Sequence, residues 1–176
     1  METATKNLEF DHENILRLIA VMGKMVESKN PDVVHLETAV DLIKHYADGF
    51  HHAKEENLLF PMMAKRGFSF EQGPIAVMLH DHVEGRGYVK AMTEHIELYK
   101  NGKKDALKPI FENMHLYAEL LQGHIYKENN ILFKMADHAL SESDQASLLV
   151  QFKEIESNGG ILKESMDKIE ELERKY

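Results

Sequence analysis

The sequence predicts an all-α fold: an up-down-up-down four-helix bundle with one or two extra C-terminal helices. Apolar residues recur at helical spacing almost throughout, as in Ile15, Leu18, Ile19 and Met22, then Leu36, Val40 and Ile43. Strict apolar–polar alternation, the mark of a half-buried strand, is hard to find. Four long periodic stretches joined by short connections make antiparallel neighbours the natural arrangement.

The first helix is expected from about Glu9 to Glu27, stopping before Asn30-Pro31 because a residue preceding proline is pushed out of the helical region. The second starts near Asp32 and lasts until Gly67, with a kink or early end at Pro61. Phe68 to Gly73 is a connection, and Pro74 suits the first turn of a third helix ending at Asn101-Gly102. The fourth runs from about Asp105 to Asp137. Ser141-Glu142-Ser143-Asp144 has the form of a helix start with Ser141 as its cap, so a shorter fifth helix follows. Gly159-Gly160 then breaks the chain before a charged amphipathic segment bearing Ile161, Met166, Ile169 and Leu172. Residues 1–140 are thus expected to form the bundle, and residues 141–176 a helical extension packing on it or lengthening it.

Composition narrows the function classes. At 176 residues the chain is near the ~100 to 200 expected of one domain, enough to bury a core. It has no cysteine, which excludes disulfides, thiolate zinc sites, Fe–S clusters and cysteine nucleophiles. The net charge of −9 repels phosphate backbones and anionic membrane surfaces, so nucleic acid and membranes are not expected partners. No apolar run approaches the ~18 to 20 residues of a membrane span, no leader pattern occupies Met1 to Asn7, and the cytoplasm is the default compartment. Eleven histidines and ten methionines are the unusual counts; the methionines are read as core filler.

The histidines fall into a repeat. His51-His52-Ala53-Lys54-Glu55-Glu56-Asn57-Leu58-Leu59-Phe60 aligns with His124-Ile125-Tyr126-Lys127-Glu128-Asn129-Asn130-Ile131-Leu132-Phe133, and Asp11-His12 is echoed by Asp81-His82. Helices 1–2 and 3–4 therefore read as two copies of one hairpin. Residues four apart on a helix differ by only ~40° around its axis, so His51 with Glu55, and His124 with Glu128, each project from one face. A single His-x-x-x-Glu is ordinarily a surface pair. Two in register, each followed by Leu-Phe, point inward, with Phe60 and Phe133 as core residues and Lys54 and Lys127 left in solvent. Adding His12 and His82 gives four neutral nitrogens and two carboxylates able to bridge, a donor set for a dinuclear iron or manganese centre. His35, His45, His95, His115 and His138 lack such a pattern.

On these residues the sequence resembles the hemerythrin-like, or HHE cation-binding, family. The resemblance covers roughly residues 8–137, and rests on the His51–Glu56 run into Leu59-Phe60-Pro61, on Gly73-Pro74-Ile75-Ala76-Val77-Met78, and on the His124–Asn129 run. It implies a four-helix bundle with two iron ions in a non-haem centre bridged by two glutamates. His12 matches the first-helix ligand, His51 and Glu55 the second-helix pair, His82 the third-helix ligand, and His124 and Glu128 the fourth-helix pair. Two departures separate this chain from the oxygen-carrying hemerythrins. Arg86 stands four residues after His82, where the carriers have a second histidine, and guanidinium has no lone pair to offer. Glu128 is at spacing four, where the carriers use an aspartate one residue later. Both point away from reversible oxygen carriage. His52 is the replacement ligand of choice, its competing assignment being a partly exposed histidine paired with Glu56. Tyr117, seven residues before His124, is placed to support the ligands or bind iron, and His80 is the weaker candidate. Arg86 is expected to turn to Asp48, one turn before His51 and His52, or else to extend into solvent.

Three function classes follow. The first is a protein that binds or senses a small diatomic, dioxygen or nitric oxide. The second is a redox enzyme acting on peroxide or nitrogen oxides, or an iron donor in iron-centre repair; repair proteins of the wider family share the Gly-Pro-Ile and Lys-Glu-Glu segments but commonly add a cysteine-bearing N-terminal segment. The third is a ferritin-like oxidase built on Glu9–His12 and Glu112–His115, disfavoured because His115 and His124 point to opposite sides of one helix. A homodimer is the assembly to test for.

Overall fold

Thr3 starts the first helix: its hydroxyl accepts a hydrogen bond from the Lys6 N–H, satisfying a donor that the helix itself leaves unpaired. This is a computed structural model, and it describes residues 3–157 and 160–176. Helix α1 (Ala4–Glu27) begins well before the Glu9 expected from periodicity, because Ala4 and Leu8 already belong to a buried apolar cluster. Asp32 caps the second helix by accepting from Val34 N–H at 2.9 Å. That helix, α2, runs unbroken over residues 33–65. Helix α3 (Gly73–Lys100) carries Pro74 in its first turn, as expected. A single 3₁₀ turn (Lys104–Ala106) leads into α4, which covers residues 107–139.

Helices α2 and α4 share a departure from α geometry. Ile43–His52 and Glu55–Leu59 in α2, and Glu128–Leu132 in α4, are in π register, with Phe60 N–H reaching back to Glu55 O and Phe133 N–H to Glu128 O. The helix does not end early at Pro61. Helix α2 continues to Lys65, with the widened turn Glu55–Leu59 standing just before the proline. Proline is not what causes the widening. Lys134 occupies the equivalent place in α4 and the register is the same, so the short π turn recurs without a proline, whereas the longer π stretch Ile43–His52 has no counterpart in α4.

Two further helices follow. Ser141 and Asp144 cap α5 (Glu142–Ser157) reciprocally: Asp144 N–H donates to Ser141 Oγ, and Ser141 N–H to Asp144 Oδ2. Of the expected break at Gly159-Gly160, Gly159 lies outside the described residues; Gly160, at φ 69°, precedes α6 (Ile161–Lys175). No strand occurs among the described residues, and no helix is long and apolar enough to cross a membrane.

The interior has two apolar clusters with a polar layer between them. One gathers Ile15, Leu18, Met22, Tyr46, Phe50, Met92 and Ile110 with Ile169 and Leu172 of α6. The other joins Leu8, Leu59, Phe60, Ile75, Leu132 and Phe133 to Leu148 and Phe152 of α5. Phe60 and Phe133 are fully buried as the sequence predicts. Between the clusters lie the buried histidines and glutamates.

Candidate metal centre

All seven residues singled out by the sequence are buried, and they converge in two groups: His12, His51, Glu55 and Glu128, and His52, Glu55, His82 and His124. Within each group one donor atom per residue lies within 4.8 Å of the others. His12 Nε2 is 3.0 Å from His51 Nε2 and 3.2 Å from Glu128 Oε2. His82 Nε2 is 3.2 Å from His124 Nε2, which is 3.1 Å from Glu128 Oε2. Glu55 faces both groups, with Oε1 at 3.7 Å from His51 Nε2 and Oε2 at 3.5 Å from His82 Nε2.

The outer edge of every ring is anchored. His51 Nδ1 faces Asp11 Oδ2 and His124 Nδ1 faces Asp81 Oδ2, each at 3.3 Å. His12 Nδ1 meets Asn129 Oδ1 and His82 Nδ1 meets Glu56 Oε1, each at 2.7 Å. His52 Nδ1 meets Asp48 Oδ1 at 3.2 Å. An acceptor at Nδ1 places the proton there and leaves the Nε2 lone pair pointing inward. The partners obey the same internal repeat as the ligand candidates: Asp11 precedes His12 as Asp81 precedes His82, and Glu56 follows Glu55 as Asn129 follows Glu128.

Five inward-facing Nε2 atoms around two carboxylates crowd the centre of the layer with acceptor atoms. His52 Nε2 and all four carboxylate oxygens of Glu55 and Glu128 are buried without a hydrogen-bond partner. Buried polar atoms are ordinarily paired, and an uncompensated buried carboxylate is costly, so this arrangement fits a cation. Nitrogen and carboxylate donors without sulfur suit iron or manganese.

The electrostatics agree. Burial and then the neighbouring Glu128 push the Glu55 carboxyl well up, while Glu128, despite burial, is held well down by His124 and His12. Burial and the adjacent His12 lower His51 to about 4. His124 is raised to about 9, because Glu128 and Asp81 outweigh its burial.

Several expectations need correcting. Lys54 is not solvated: it is fully buried, with Nζ 2.6 Å from Asp11 Oδ2 and 2.9 Å from Asn7 Oδ1. Lys127 is partly exposed but also reaches Asp81. Asp11 must stay charged at 2% exposure to anchor His51, and that requires a cation beside it. Glu56 pairs with His82 and Arg86, and His52 with Asp48 instead of Glu56. Tyr117 belongs to neither group; it is buried in the wall of a cavity of about 430 Å3, along with His52, His82, His124, Gly85 and Val89. His80, His115 and Glu112 are exposed, which removes the ferritin-like arrangement. The orienting residues Asp11, Asp81, Glu56 and Asn129 were not singled out as such from the sequence, although Asp-His recurs there and Lys recurs before each glutamate.

The hemerythrin HHE cation-binding domain model matches residues 3–136. An iron-sulfur cluster repair protein YtfE of Pectobacterium carotovorum is 31% identical over 88 residues, 49% of this chain and 40% of the relative. The YtfE of Pectobacterium atrosepticum is 33% identical over 89 residues, with the same coverage, and that of Escherichia coli (strain K12 / DH10B) is 30% identical over 124 residues, 69% of this chain and 56% of the relative. These matches span only about half the length of the relatives. No solved structure matches significantly.

Proposed function

The chain belongs to the hemerythrin HHE cation-binding domain family, and from that premise we propose that it is a non-haem di-iron protein that binds a small diatomic such as dioxygen or nitric oxide. His12, His51 and Glu128 would hold one ion and His52, His82 and His124 the other, with Glu55 shared between them. The observation that carries this reading is the cluster of five buried, partnerless acceptor atoms at the meeting point of the two groups. Two ferrous ions there would supply electrons and an open coordination position for a small ligand.

The chain's own residues do the rest. Asp11, Asp48, Glu56, Asp81 and Asn129 fix the rings with Nε2 inward, so little reorganisation accompanies binding. The cavity beside His52, His82 and His124 gives a small molecule a partly apolar approach to one side of the centre.

A second reading, iron donation in the repair of damaged iron centres, is favoured by the names of the YtfE relatives. Iron counting and optical spectra of the reduced protein, before and after dioxygen or nitric oxide, separate the readings. Two irons per chain with a reversible new absorption band support ligand binding. A band that does not return while peroxide is consumed supports an enzyme, and loss of iron to an apo acceptor protein supports donation. A folded chain that takes up no iron sinks the proposal.

A further inference from the structure

The internal repeat makes the two halves of the centre near-equivalent, and this equivalence fails in one place. On one side Lys54 Nζ reaches Asp11 Oδ2, Asn7 Oδ1 and, at 3.2 Å, Glu156 Oε1 of α5. It also lies 4.5 Å from the Phe50 ring centroid and 5.3 Å from that of Phe152, another α5 residue. Asn7 Nδ2 donates to the same Glu156 oxygen at 2.9 Å, tying α1 to α5. On the other side Lys127 reaches Asp81 alone among the carboxylates of the described residues, with 38% of its side chain exposed.

The cover differs in the same sense. Helix α5 seats the fully buried Leu148 and Phe152 over the Lys54 side. The His52, His82 and His124 side instead borders the cavity of about 430 Å3. A water takes up ~30 Å3 of liquid, so that space admits several waters or a small chelating molecule.

For a bound ion to leave, a ligand ring must turn away and a water or competing donor must take its place. Both steps are obstructed beside Lys54 and open beside Lys127. We infer, resting on the metal-centre reading above, that the two positions are built unequal: the ion between His12 and His51 is retained, and the ion at His52, His82 and His124 exchanges through the cavity. Helix α5 is the lock, acting through Glu156, Lys54 and Asp11 on His51. Lys54 is in this sense a positioning residue, and Lys127 is its unlocked counterpart. An exchangeable ion beside a retained one is what an iron donor needs to deliver metal and keep its fold.

The test follows release of iron from the full chain, loaded anaerobically with Fe(II), to the chromogenic chelator ferrozine. Two phases of one ion each are expected, with His82→Ala removing the fast phase and His12→Ala the slow one. Lys54→Met should speed the slow phase by about tenfold or more, the scale of losing a partner that orients a ligand, while Lys127→Met leaves it within about twofold. Glu156→Gln, at a partly exposed carboxylate, should act in the same direction by about threefold, and decides the matter if Lys54→Met does not fold. Two ions leaving in one phase, or a slow phase indifferent to Lys54→Met and Glu156→Gln, overturn the inference and leave the di-iron reading standing. A native chain that binds no iron overturns both.

Discussion

Arg86 donates to both oxygens of Asp48, through Nε at 2.9 and 3.1 Å and through Nη2 at 2.6 Å, and the same Nη2 reaches Glu56 Oε1 at 2.7 Å. The expected turn towards Asp48 is therefore made, and Glu56 is an additional partner. Asp48 accepts from His52 and Glu56 from His82, so one guanidinium orients two imidazoles. Against burial, His52 and Arg86 hold Asp48 well below the usual carboxylate range.

Arg86→Ala should accordingly weaken metal binding on the cavity side by about 10- to 100-fold and leave the His12 side nearly unchanged. Arg86→Lys should recover only part of this, because an ammonium cannot span two carboxylates as a planar fork does. Metal titration with separately resolved sites checks both; equal weakening of the two positions would exclude a local role.

Glu55→Gln is expected to shift stability in opposite directions with and without metal. In the metal-free chain it replaces a partnerless buried carboxyl by an amide whose nitrogen can donate to the Nε2 of either His51 or His82, a gain of about 1–3 kcal/mol. In the metal-loaded chain it removes the shared anionic ligand. Melting temperatures should rise without metal and fall with it; a fall in both states would mean that Glu55 serves packing alone.

Metal uptake should expel protons. His124, raised from 6.5 to about 9, carries a proton at pH 7 in the metal-free chain, and burial with the neighbouring Glu128 pushes the Glu55 carboxyl up in the same sense. Coordination needs the His124 Nε2 free, so affinity should climb with pH and level off above about 9. The raised His124 stabilises the metal-free fold fully below 6.5, and that contribution disappears as pH passes through 9. His51, lowered to about 4, is already neutral at pH 7 and contributes no proton. Calorimetric titration in buffers of different ionisation heat should find at least one proton released per chain at pH 7; none released would contradict this assignment.

Phe152→Ala empties a fully buried site between α5 and the lower core and should cost about 3–5 kcal/mol. Denaturant melts should remain a single transition at lower midpoint. A separate early transition for residues 142–157 would show that α5 folds apart from the bundle.

Much of this was legible in the chain itself. The ligand candidates share a spacing, four residues on a helix, and a repeat that copies it, so His51, Glu55, His124 and Glu128 stand out without a structure. Asp11 and Asp81 were visible only as companions of His12 and His82, since their role depends on contacts across helices. Lys54 was misread because exposure rules apply to an average lysine, and nothing local announces that α5 will close over it. The π turns were hidden for another reason: side-chain periodicity reports the face a residue occupies, and a backbone register shift of one residue is absorbed in the scatter of that pattern.

The sharing of Glu55 has a consequence for assembly. One candidate group draws His12, His51 and Glu55 from the first hairpin and Glu128 from the second; the other draws His82 and His124 from the second and His52 and Glu55 from the first. Neither hairpin owns a complete site. On the proposed di-iron reading, docking of the two halves would be the event that creates affinity, and a half-assembled chain would lack part of each position. Tight binding would then be a certificate of finished folding.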